Sequence, residues 1–279
     1  MGWKNLYQKA RKRLTLSTLK ESFHLFTVTL LSLLLPLSFL LVARLSCFNY
    51  FLTVITSNPS QPSPYFLLSV YFYTNPAVLY VLVSVFSIVT LFHGLTGKIT
   101  YVSESPDAPR LYTAWIVLCI MQVSVGLGIE GSIASGIDGS GFGVERSLLS
   151  RVIFFLGLHE IMLVWFRTVV KPVVDDTIFG AAIAERWIHR FAIALSVGTM
   201  WWWKLRDEVE SLVAVAEAKK ELSMSIEMAD FLGWWLYYLT VTIGMVRVVK
   251  ALLWLGIVLF SRRVRRNDDE TREEDQDKV

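Results

Sequence analysis

Long stretches of this sequence carry no charged side chain. Between Glu21 and Arg44 there is no Asp, Glu, Lys or Arg, from Leu45 to Gly97 there is again none, and a third such run extends from Leu111 to Ile129. A soluble domain does not tolerate this distribution, because its surface has to be wetted along its whole length. A membrane does. A hydrocarbon core of roughly 30 Å is crossed by about 20 helical residues at ~1.5 Å each, and a helix satisfies its own backbone where no water can.

Other absences narrow the function. Two cysteines, Cys47 and Cys119, are too few for a disulfide framework. His159-Glu160 opens a zinc-protease-like pattern, but position 163 is Leu, so the second ligand is missing. There is no Walker A lysine, no dinucleotide-binding glycine pattern and no Gly-x-Ser-x-Gly elbow. The Gly136–Gly143 stretch has no Lys-Ser/Thr after it and reads as a flexible loop. The residues therefore predict no enzyme, no cofactor and no nucleic-acid partner. No Asn-x-Ser/Thr acceptor occurs, since Asn58 is followed by Pro59, and Leu6 excludes a myristoylation signal. The first apolar run is too long for a cleaved signal peptide and no small-residue cleavage site follows it, so it is expected to stay as a signal anchor. No internal repeat is visible, which argues against an inverted-repeat transporter.

What is present is apolar. Hydrophobic residues make up 54% of the chain and charged ones 18%, with a mean hydropathy of +0.49. The pattern predicts an all-α polytopic membrane protein with four to six spans per subunit. Three spans are expected at about 24–44, 76–96 and 111–130. Three further stretches are apolar but interrupted: Ser147–Val170 by Arg151, His159, Glu160 and Arg167; Arg190–Trp203 by its shortness; and Phe231–Ser261 by Arg247 and Lys250. The basic N-terminus (1–23) and the Arg262–Arg266 flank belong on the cytosolic side, which calls for an even number of crossings. Six crossings are favoured over four. The membrane region then runs over 24–203, with an uncharged lumenal loop at 46–75 and a Gly-rich lumenal loop at 131–146. Residues 204–230 read as an amphipathic helix outside the membrane, with Leu205, Val209, Leu212, Val213 and Ala216 on one face. Residues 231–261 form a long C-terminal helix and a probable span, tilted or projecting because of its length. The charged tail, 262–279, is expected to be disordered on the cytosolic side. Trp201–Trp203, Trp234, Trp235, Tyr237 and Tyr238 fit an interfacial aromatic belt.

Ionisable residues set against the membrane are the functional candidates, because such groups are costly there and usually face a bundle interior or a watery path. Glu130 ends an otherwise uncharged span within Gly126-Leu-Gly-Ile-Glu-Gly131. In a ring of subunits it would form an acidic collar that attracts cations, with Ile129 or Ile133 as an apolar constriction and Asp138 and Glu145 widening the field at the mouth. As an isolated acid it would simply mark the helix end. Glu160 and Arg167, seven apart, share a helical face and are expected to form a structural charge network with Arg247 or His159. Asp175-Asp176 could bind Ca²⁺, but two carboxylates fall far short of the six to eight oxygens that ion takes, and a helix-start pair explains them better.

Several strings form a distinctive set: Gly94-Leu-Thr-Gly97, Arg110-Leu-Tyr-Thr-Ala-Trp115, Val125-Gly-Leu-Gly-Ile-Glu-Gly-Ser132, Phe155-Leu-Gly-Leu-His-Glu160, Val169-Val-Lys-Pro-Val-Val-Asp-Asp176, Trp201-Trp-Trp-Lys-Leu-Arg-Asp-Glu208 and the run from Trp234 to Met245. Over residues 90–260 they resemble a plant family of transmembrane proteins, the WeiTsing family. That resemblance implies a homopentamer around a central pore in the endoplasmic-reticulum membrane, permeable to Ca²⁺, K⁺ and Na⁺, and acting in plant immunity. It assigns no pore residue, so Glu130 rests on its placement alone. The expected partners are membrane lipids and further copies of the chain. A secondary transporter, and a scaffold or adaptor without transport, are the alternative readings.

The basic flanks generate a first prediction. Tags at both termini should be digested by protease added outside sealed vesicles with the cytosolic face outward. Protection of either tag would overturn the even-span topology.

Overall fold

The computed structural model describes residues 18–56, 76–96, 108–135, 147–179, 187–223 and 225–276. Every regular element among the described residues is helical. In chain order these are α1 (18–32), α2 (Leu34–Thr56), α3 (Pro76–Thr96), α4 (Ala108–Ser135), α5 (Leu148–Trp165), α6 (Trp187–Met200), α7 (Ser211–Glu221) and α8 (Met228–Gln276). Five helical stretches are long and apolar enough to cross a membrane: Thr18–Phe51, Ala77–Thr96, Arg110–Glu130, Leu148–Thr177 and Met228–Ser261.

Proline accounts for two irregularities. α1 and α2 form one run broken at Leu33, because Pro36 has no N–H for the Ser32 carbonyl and its ring crowds that oxygen. The helix recovers at once, with Leu37 N donating to Leu33 O at 3.1 Å. α5 likewise widens into a π-turn at Phe166–Val170, passes through Lys171–Val174 and widens again at Asp175–Phe179. Pro172 cannot donate to Thr168 O, which explains the first π-turn.

Contacts between distant residues fix how deep each helix runs. His189, in α6, touches His24 near the start of α1. α6 continues through a π-turn (Trp201–Leu205) to Glu208, which touches Arg44 in α2. His24 and Arg44 are roughly 30 Å apart along their helix at ~1.5 Å per residue. The 187–208 helix therefore runs the same depth as the first span and parallel to it. It is not among the five most apolar stretches because His189, Arg190 and Lys204 lie in it. α5 runs the opposite way, with Arg151 reaching Glu210 at one end and Asp175 reaching His24 at the other. α8 runs parallel to α5, pairing Tyr237 with Ser150 and Arg247 with Glu160. It passes the end of α3, where Lys250 donates to Gly94 O. Residue 18 and the outward course of α8 thus lie at the same end of the bundle.

The core is a layer of aromatic and aliphatic side chains between these helices. Trp165 meets Phe86 edge-on at 4.9 Å and donates to Leu31 O at 3.2 Å. Phe154 stacks on Tyr237 at 4.9 Å and meets Phe39 edge-on at 6.2 Å. Within a bilayer, apolar side chains gain little by leaving lipid for each other, so close backbone approach matters more. Gly157 and Gly244 supply it between α5 and α8: a Cβ on Gly157 would overlap the Thr240 carbonyl oxygen, and one on Gly244 would overlap that of Ile153.

Two segments differ from their sequence reading. The 204–230 stretch is not a separate amphipathic unit. Its first residues finish the α6 helix, and α7 is buried between α2 and α8, with Ser211–Ala216 and Lys219 all inside. The apolar face predicted by spacing is buried as expected, and Glu208, Glu210 and Asp230 find bases within the bundle, whereas Asp207, Glu217 and Glu221 stay exposed. α7 ends at Ser223, which adopts φ 53°, a left-handed conformation that usually favours glycine and here turns the chain toward α8. The charged tail, in turn, continues α8 as helix to Gln276. Its Arg and Glu residues are good helix formers, so the backbone extends a helix already nucleated.

The close packing yields a second prediction. Gly157→Ala and Gly244→Ala should each destabilise the folded protein by about 1–3 kcal/mol through overpacking, read as a lower apparent Tm in detergent. Gly126→Ala and Gly198→Ala, where a Cβ meets nothing within 4 Å, should leave it unchanged. Equal effects at all four sites would overturn the close-approach account.

Candidate functional site

Charged side chains within the helices fall into layers along the bundle. At the end where α7 sits, three acids between residues 208 and 230 meet bases from the bundle and its cap. Arg44 forks onto Glu208, with Nε to Oε2 at 2.5 Å and NH2 to Oε1 at 2.8 Å, and its NH1 donates to Ser132 Oγ at 2.8 Å. Arg151 binds Glu210 at 2.6 and 3.1 Å. Lys219 binds Asp230 at 2.6 Å, both side chains at most 1% exposed; the same Asp230 oxygen accepts from Glu227 N at 3.1 Å. These pairs have a simple cause. A buried ion is tolerated only with a partner and satisfied hydrogen bonds, and Arg44 is the one Lys or Arg between Glu21 and Lys98.

Halfway along the spans lies a different arrangement. Arg247 donates to Glu160 and, at 3.0 Å, to His159 Nδ1. The Gly157–Gly244 contact brings this about, because each charged residue sits three positions beyond its glycine, one turn further along the touching helices. Arg247 lies across this tight interface, whereas Arg167 lies two helical turns, roughly 10 Å, along the same helix. Of the network expected from Glu160, Arg167, Arg247 and His159, the structure brings Glu160, His159 and Arg247 together between α5 and α8. Arg167 lines a separate groove with Arg110. The Glu160 and Arg247 side chains are 33% and 36% exposed, so this pair opens on the outer face of the bundle. His159 Nε2 is buried without a hydrogen-bond partner.

At the opposite end His24 bridges two elements. Its Nε2 donates to Asp175 Oδ1 at 2.9 Å and its Nδ1 lies 3.3 Å from His189 Nε2, the rings meeting edge-on. Asp175 is buried in this contact while Asp176 is exposed, so the two adjacent carboxylates diverge and do not converge on one cation. Spacing gave no hint of this trio, whose members are 151 and 165 positions from His24.

Glu130 lies near the end of α4, exposed and with no ion pair to any described residue. It terminates an outward apolar face made of Tyr112, Ile116, Val123 and Ile129. Ser132, two residues on, is instead buried against Arg44. Ile133 lies in α4, with its side chain outside the description, and Asp138 and Glu145 fall outside the described residues. α4 packs on α2, α3 and the distorted part of α5, so its open face is not the face that carries Glu160 and Arg247. No protein-family profile, curated protein or solved structure matches the chain.

The two ion-pair layers differ in burial, and this sets a third prediction. Glu208→Ala strands Arg44 beside a fully buried site and should cost roughly 3–5 kcal/mol, seen as loss of monodisperse protein. Replacing both partners, Arg44→Leu with Glu208→Leu, should recover much of that loss. Glu160→Ala, at a pair one third exposed, should lose less monodisperse protein than Glu208→Ala; an equal or greater loss would overturn the difference between the two layers.

Proposed function

We propose that the chain is one subunit of an oligomeric, calcium-permeable, non-selective cation channel in an intracellular membrane. The observation that carries this reading is the Glu160–Arg247 pair, one third exposed at mid-depth on the outside of the bundle. Around a lone subunit that position is hydrocarbon, where an open charge pair is costly. A neighbouring subunit or water removes that cost. The core of a single subunit is packed with side chains such as Trp165, Phe154 and Met121, which favours a pore between copies over one through each copy.

In such a ring one face of each subunit meets the axis and others meet neighbours. The α4 face suits the axis: it is apolar along its length and ends in Glu130, which has no internal partner among the described residues. Repeated by symmetry, Glu130 becomes a collar that concentrates divalent cations, with Ile129 beside it as an apolar constriction. The 187–208 helix, running as deep as the first span, supports reading a sixth crossing beside the five most apolar ones, and an even number of crossings returns the chain to the side it starts from. The Lys/Arg flanks make that side the cytosol. The resemblance to the plant family adds the pentamer, the endoplasmic reticulum and the link to immunity.

Glu130→Gln keeps the shape and removes the charge, so it should lower Ca²⁺ permeability relative to K⁺ while the oligomer stays intact. Glu130→Lys should nearly abolish cation current. Reversal potentials of purified protein in planar bilayers under asymmetric Ca²⁺/K⁺ test this. An unchanged reversal potential in an assembled Glu130→Gln channel overturns the collar, and saturable flux without unitary steps would make the protein a transporter.

A further inference from the structure

One polar group stands at the edge of the apolar stripe on α4. Gln122 lies midway along that span, exposed and with no hydrogen bond to any described residue. We propose that Gln122 forms a second cation-binding ring on the permeation path, about 12 Å deeper in the span than the Glu130 collar at ~1.5 Å per residue. This site rests on the channel reading above, with α4 facing the axis.

The chemistry of the amide is the first reason. It has two donor hydrogens and an oxygen with two lone pairs, all of which hydrocarbon leaves unsatisfied. Exposed hydroxyls elsewhere on the spans avoid that cost through their own backbone. Thr96 Oγ1 donates to Phe92 O at 2.9 Å, and Thr242 Oγ1 to Tyr238 O at 2.8 Å. Gln122 makes no such bond among the described residues. The exposed row on α3 is instead Val81, Val85, Ile88, Phe92 and Leu95, a surface that lipid can cover without stranding a polar group. Position is the second reason. Gln122, Gly126 and Glu130 are spaced by four and so form one ridge of the helix surface. Gly126 is exposed, and a Cβ on it would meet nothing within 4 Å, so the ridge is open between the two polar groups. Around a narrow axis the amide oxygens of several copies converge and replace an ion's water, as neutral oxygens do in cation filters. An amide carries a dipole and no net charge, so this ring takes monovalent and divalent ions alike, whereas the collar favours divalent ones. In series the two rings admit Ca²⁺ without excluding K⁺.

The test uses the full-length oligomer reconstituted into planar bilayers and liposomes. Gln122→Leu removes the amide and keeps much of its bulk. It should lower unitary K⁺ conductance by roughly fivefold, as expected for losing one hydrogen-bonding oxygen per subunit, with the oligomer intact by native mass spectrometry. Gln122→Glu adds a second acidic ring and should shift the reversal potential toward Ca²⁺ under asymmetric Ca²⁺/K⁺. Cys119, one turn deeper than Gln122 and exposed, reports wetting of this face without any conduction, since Cys47 is buried. A charged, water-soluble thiosulfonate should add one label per chain at Cys119 in liposomes, because the reactive thiolate forms in water and not in lipid. An unchanged conductance in assembled Gln122→Leu overturns the ring. So does an unlabelled Cys119 in a conducting wild type, which sets this face against lipid or a neighbour. If Gln122→Leu does not assemble, Gln122→Glu decides, and no shift toward Ca²⁺ overturns the ring. Absence of unitary steps in the wild type overturns the channel reading itself and the ring with it.

Discussion

Arg44 is the constraint from which much of the bundle follows. It sits in the first span, with no other charge for more than twenty residues before it and more than fifty after it. In a low-dielectric interior it needs a carboxylate held in a fixed place. Glu208 supplies that carboxylate, and holding it there requires α6 to run the full depth of the bundle and end beside α2. The next residues then have to pack over the same end, where Glu210 and Asp230 take Arg151 and Lys219. A stretch that is charged in composition becomes the plug of a membrane bundle, because its acids meet bases already fixed by the spans.

The α5–α8 pair follows a second rule. Two parallel helices approach backbone to backbone at Gly157 and Gly244. The glycines gain no hydrophobic energy there; they remove the side chains that would hold the helices apart. One turn beyond them, Glu160 and Arg247 meet across the interface and open outward. The same local geometry thus stabilises the bundle and leaves a partly exposed charge pair that is costly to set against lipid.

The outer surface has distinct faces as a result. α4 offers an apolar stripe ended by Glu130, while the α5–α8 side offers a charged pair at mid-depth. From Ala251 to Phe260 α8 is apolar all round, with Leu252, Leu253, Trp254, Ile257 and Phe260 exposed. Charge and apolar surface thus lie on different sides of the bundle, and in a membrane each carries a different cost.

By itself the sequence determined the class of the protein. Uncharged runs long enough to cross hydrocarbon leave few options but helices, and the five most apolar stretches are helical where composition places them. Tertiary structure decided the rest, for reasons of distance. Arg44 and Glu208 are 164 positions apart, and His24 and Asp175 are 151 apart, so neither pairing leaves a local signal. Glu160 has a base seven positions away, yet takes one 87 positions away, because two glycines bring α8 closer than two helical turns bring Arg167. Hydropathy is a local sum and reads depth well. Which charge meets which depends on helices touching, and that is settled by the few places where side chains are small enough to let them.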